Sequence, residues 1–192
     1  MRRWVRWAAA LALAMTGIDA RPGDSPHLSL VPWKVVERAD DVRAPLVLFW
    51  IPASRDEVRR SELLTSEELT LYSSQCVAMR VVRSDDEATL VKLDIGDELP
   101  VAVLADSEGH ILGRVAGEQG TLAVNEVEEM VREELDRRVS GADALLDDAR
   151  EKAERGATDE AIALYREVWE QRCVCPRQAR DAQRALKKLK AK

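Results

Sequence analysis

Ala44-Pro45-Leu46-Val47-Leu48-Phe49-Trp50-Ile51-Pro52-Ala53-Ser54-Arg55-Asp56-Glu57-Val58-Arg59-Arg60 is the stretch that decides the fold. Six apolar residues, Leu46 to Ile51, stand between Pro45 and Pro52. Proline lacks the N–H that a ladder needs and so brackets strands, and an unbroken apolar run of this length suits a strand covered on both faces. The run stops at Ser54, which is followed three residues later by Glu57. That capping-box spacing opens a helix by satisfying its first orphan amides. In an open α/β sheet, the end of such a strand is where chemistry or binding sits.

Working outward, Trp33, Val36, Ala39 and Val42 recur every three residues and predict a short amphipathic helix over 33–42, with Trp33 as a packing anchor. Ser66-Glu67-Glu68 restarts a helix after the opening one and turns Leu69 and Tyr72 inward. Cys76 to Val82 reads as a second central strand. Ser84-Asp85-Asp86-Glu87 caps a short helix that ends by Gly96. Val101–Leu104 and Ile111–Val115 form the arms of a hairpin, with Asp106 and Gly109 at the first and fourth positions of its turn. Leu122, Val124, Val127, Met130, Val131, Leu135 and Val139 predict an amphipathic helix over 121–139.

This order over residues 33–140 resembles the thioredoxin fold. The resemblance rests on Phe49-Trp50 at the strand end, on Leu99-Pro100 at the position of that family's cis-proline, on the Asp106–Gly109 turn, and on Gly113 and Gly117. It implies an α/β protein, a central mixed sheet flanked by helices. The Trp33 lead-in and the Ser66 restart are more similar to the periplasmic single-domain branch. The family's Cys-x-x-Cys positions hold Ser54 and Glu57, and the buried acid often placed just before the aromatic pair is Leu48. A dithiol works because a thiolate sits at the helix start and a second sulfur resolves the mixed disulfide. Ser54 has no such acidity without an adjacent base, and no motif brings His27 or His110 to it. The expectation is therefore a site with no catalytic residue, no cofactor and no metal. The resemblance also implies a peptide-binding groove formed by Trp50, Pro52, Ser54, Glu57, Leu99 and Pro100, where strand pairing needs no cysteine.

Cys76, Cys173 and Cys175 are the three cysteines. Cys76, at a strand start, reads as a small buried hydrophobe. Cys173-Val174-Cys175-Pro176 leaves a disulfide, a redox or soft-metal pair, or a plain turn open.

Residues 1–20 carry Arg2, Arg3 and Arg6 ahead of an apolar run from Trp7 to Met15, then Ile18-Asp19-Ala20. This is the pattern of a signal peptide, with an uncleaved N-terminal anchor as the alternative. It predicts a periplasmic or secreted protein whose membrane contact is confined to those residues. Residues 21–32, with Pro22, Gly23, Pro26 and Pro32, read as a linker. A net charge of −6 and 33% charged residues exclude a nucleic-acid partner and give an ordinary globular composition.

Ser140-Gly141-Ala142-Asp143 reads as a boundary before an all-helical segment, 141–192. Ala149, Ala153, Gly156, Ala161-Ile162 and Tyr165 resemble one tetratricopeptide helix pair, with 177–190 as a capping helix that turns Ala179, Ala182, Leu186 and Leu189 inward. A single repeat buries too little to stand alone. The segment either binds a protein or covers apolar surface. Together these readings predict a non-catalytic, redox-inactive envelope protein that binds polypeptide partners. The alternative is a thiol-disulfide oxidoreductase using Cys173 and Cys175.

Overall fold

The structure is a computed structural model that describes residues 29–36, 44–118 and 120–190. The readings of residues 1–20 and of 37–42 lie outside the described residues, as do 21–28 of the linker. Five strands form one mixed sheet: β1 (Lys34–Val35), β2 (Leu46–Ile51), β3 (Val77–Val81), β4 (Val101–Asp106) and β5 (Ile111–Ala116), in the order β1-β3-β2-β4-β5. The first three run parallel, while β4 lies antiparallel to β2 and β5 antiparallel to β4. The helices are α1 (Arg55–Arg60), α2 (Glu67–Ser74), α3 (Glu87–Lys92), α4 (Val124–Glu154), α5 (Thr158–Glu170) and α6 (Pro176–Lys190), and a 3-10 turn covers Glu62–Leu64.

Every residue of β2 is buried, and alternation sends its side chains to two cores. Leu46, Leu48 and Trp50 join Val77, Met79, Ala102 and Leu104 on one face, against Leu69 and Tyr72 of α2 and Val127 and Val131 of α4. Val47, Phe49 and Ile51 join Val101, Val103 and Ala105 on the other face, covered by Leu90, Leu93 and Ile95. Each fully buried large side chain contributes about 1.5–3 kcal/mol of transfer free energy, so this strand anchors both layers.

Several local readings change. Trp33 to Val36 is not helical. The chain forms β1, and Val36 N–H donates to Val81 O at 2.9 Å. Pairing with β3 outweighs the three-residue spacing, since so short a segment cannot support a helix by itself. Trp33 still anchors: its indole donates to Leu63 O at 2.8 Å and its ring centroid lies 5.5 Å from that of Trp50. Val31, at the end of the stretch read as a linker, is buried in the core.

The helix read over 121–139 runs on to Glu154, straight through Ser140-Gly141-Ala142-Asp143. A Cβ on Gly141 would meet nothing within 4 Å, so this glycine marks an exposed position, not a break. Glycine there costs about 1 kcal/mol relative to alanine, less than the packing of Leu135, Ala142, Leu146 and Ala149 along the buried stripe supplies. The first half of α4 lies on the sheet and the second half beneath α5 and α6, so one apolar cluster extends from β2 to Ala161, Val168 and Ala182. Gly156, at φ +80°, ends the long helix and allows α5 to fold back. The chain is thus a mixed α/β sheet with flanking helices and a helical C-terminal region. Among the described residues no helix is long and apolar enough to cross a membrane.

Candidate functional site

The turn from β2 into α1 is a closed hydrogen-bonded unit. Ser54 Oγ accepts from Glu57 N–H at 3.2 Å. Glu57 folds back under the helix start: Oε2 accepts from Ala53 N–H at 2.7 Å and Oε1 from the Trp50 indole N–H at 3.3 Å. The reciprocal bond thus reaches Ala53, one residue before the cap, because the indole draws the carboxylate toward the core. Glu57 is only 8% exposed, and burial raises its pKa above the ordinary 4.5, with the bonds from Ala53, Trp50 and Ser54 pulling in the opposite direction.

An acid whose pKa is higher folded than unfolded stabilises the fold in its protonated form. That contribution is present below the unfolded value and is lost as pH rises through the folded one. The stability of the wild type relative to the non-titrating Glu57→Gln variant should therefore fall as pH rises from below the ordinary carboxylate range to above the raised folded value, as read by urea unfolding of both proteins. A difference that is flat or rises over this interval would refute the burial of the carboxylate.

The six residues read as one groove are distributed around this unit. Ser54 and Glu57 line an open groove of about 510 Å³ together with Arg60, Ser61, Glu62, Gly120, Thr121 and Leu122. Trp50 is wholly buried beneath it and offers a partner no surface. Pro52 is buried on the far side of α1. Leu99 turns toward the cluster on the opposite face of the sheet. Pro100, after a cis Leu99–Pro100 peptide, is buried and accepts from Gly117 N–H at 2.7 Å. Gly117 packs between the Pro100 ring and Thr121 O, so Pro100 backs the groove wall from behind. The wall residues Gly120, Thr121 and Leu122 were illegible in sequence, since they arrive more than sixty positions after Ser54 with no local motif.

Among the described residues no histidine reaches Ser54. His110 sits on the β4–β5 hairpin, its Nδ1 3.0 Å from Asp106 Oδ2, and Asp106 is in register with Leu46 at the opposite end of β2. His27 lies outside the described residues. The cysteines are also rearranged. Cys173 is bonded to Cys76, with a Cα–Cα separation of 5.7 Å, and not to its neighbour Cys175. The α5–α6 turn points Cys173 outward toward the α2–β3 corner while Cys175 faces the core, so adjacent positions in sequence address different surroundings. Burial raises the Cys175 pKa, which lowers its thiolate fraction. Cys76, read as a buried apolar residue, is half-buried and is the bridge partner. Among the described residues no three His, Cys, Asp or Glu side chains are grouped to hold a metal ion.

What the described residues show here is a capped helix start beside an open groove. Compared with known proteins, the chain matches no family model and no curated protein.

Proposed function

We propose that the chain is a redox-inactive, thioredoxin-like protein of the cell envelope that binds polypeptide partners. The observation that carries this reading is the Ser54–Glu57 unit: the two positions that would hold a reactive dithiol are committed to capping α1, beside a groove that stays open. The signal-peptide pattern of residues 1–20 and the Cys76–Cys173 bridge, a bond that persists in oxidising compartments, support the envelope location. The tetratricopeptide-like hairpin at the C-terminus supplies a second surface of the kind that contacts proteins. The alternative oxidoreductase needs Cys173 and Cys175 as a reacting pair. With Cys173 bonded to Cys76 and Cys175 buried, nothing favours it.

Two measurements test the reading together. The protein should not accelerate the reduction of insulin by dithiothreitol. Reduced, carboxymethylated insulin B chain, used as an extended-polypeptide probe, should shift the amide resonances of Ser54, Ser61 and Thr121. Insulin reduction that disappears in Cys173→Ser would establish the oxidoreductase instead, and resonances unmoved by millimolar probe would remove the binding function.

A further inference from the structure

Across α1 from the groove just described lies a second one, of about 440 Å³, at the carboxyl ends of the three parallel strands. Such strand ends are where open α/β sheets take ligands. Its floor is Val35, Pro52, Val58 and Val81. Val35 is 62% exposed, an unusual position for a valine on a strand. The rim is basic. Arg55 and Arg59 are one turn apart on α1 and so share a face, and Arg83 stands opposite them, engaged by Asp85 at 2.8 and 2.5 Å. Arg83 neutralises Asp85, which leaves Arg55 and Arg59 as the net charge over an apolar floor.

The sheet edge lies beside it. With Val36 N–H on Val81 O, the alternation of a parallel ladder turns the backbone groups of Val35 away from β3, and among the described residues no strand pairs with that side of β1. The floor holds no aromatic ring on which a base could stack, and the chain's net charge of −6 opposes a polyanion.

We propose that this second groove binds an extended peptide of alternating apolar and acidic residues, laid beside β1, with its apolar side chains on the valine floor and its carboxylates on Arg55 and Arg59. Pairing along an exposed sheet edge supplies register-independent affinity, and the arginines select acidic side chains.

The test uses three capped octapeptides, Val alternating with Glu, with Gln and with Lys, titrated into the full protein and followed by amide resonances. The Glu peptide should bind, moving Val35, Val58 and Val81, and should bind about tenfold more weakly to Arg55→Glu/Arg59→Glu. That variant should prefer the Lys peptide. Arg55→Gln/Arg59→Gln, whose circular dichroism is compared with wild type, should show a severalfold loss if the reversed charges perturb α1. Equal binding of the Gln and Glu peptides to wild type would overturn the proposal. So would shifts confined to Ser61 and Thr121, which would leave the first groove's polypeptide binding intact. No binding of any of the three peptides at millimolar concentration would also overturn it.

Discussion

Replacing Cys173 by Ser should lower the unfolding free energy by about 4 kcal/mol, because the Cys76–Cys173 bond closes a loop of 97 residues in the denatured chain. Cys173 is exposed, so the substitution leaves no cavity and isolates the cross-link. The urea midpoint should drop to that of the wild type in dithiothreitol. The m-value should rise, since an unlinked denatured chain exposes more surface. Cys76 sharpens this prediction. It adopts φ +64° just beyond the end of α2, a left-handed position that a side chain occupies at a cost. In the Cys173→Ser background, Cys76→Gly should therefore recover about 1 kcal/mol. A Cys173→Ser variant as stable as the oxidised wild type would show that the bridge contributes nothing. An intact mass equal to that of the fully reduced protein would show that it does not form.

Gly117→Ala should cost about 3 kcal/mol, close to the upper end for adding one methyl group to a packed site. A Cβ there would lie 2.6 Å from Pro100 Cγ and 2.7 Å from Thr121 O, a rigid ring and a backbone carbonyl, neither of which can swing aside. Relief would have to come from moving the 117–121 segment away from Pro100, breaking the Gly117 N–H bond to Pro100 O and opening the wall of the first groove. Gly113→Ala is the internal control. Its Cβ would meet only Met130 Cγ and Sδ, at 2.8 and 2.9 Å, and a methionine side chain adapts. That variant should lose less than about 1.5 kcal/mol in the same urea titration. Equal costs at the two positions would mean that the wall is not built on Pro100.

Much of the sheet is legible in sequence because its signals are local. The apolar run of β2, the Asp106–Gly109 turn and the Ser54 cap each need only neighbouring residues to act, and each is found where its residue types place it. The reading of Trp33–Val42 as a helix failed at its start for the complementary reason. A spacing of three cannot distinguish one turn of helix from a two-residue strand that gains its stability by pairing with β3. The helix break read at Ser140-Gly141 is not found, since glycine and serine interrupt an isolated helix but not one held by a continuous buried stripe.

The sequence by itself determined that Ser54 caps the helix after the first long strand, with Glu57 three residues on, and that Leu46–Ile51 is buried on both sides, because side-chain chemistry and period are properties of the chain. Tertiary structure alone decided that Cys173 meets Cys76 across 97 positions, that Gly120, Thr121 and Leu122 join Ser54 and Glu57 in one groove, and that Leu99 turns to the opposite face of the sheet. These are meetings between segments distant in sequence. Their partners are set by how strands β1 to β5 order themselves and by how far α4 reaches, and no local pattern encodes that.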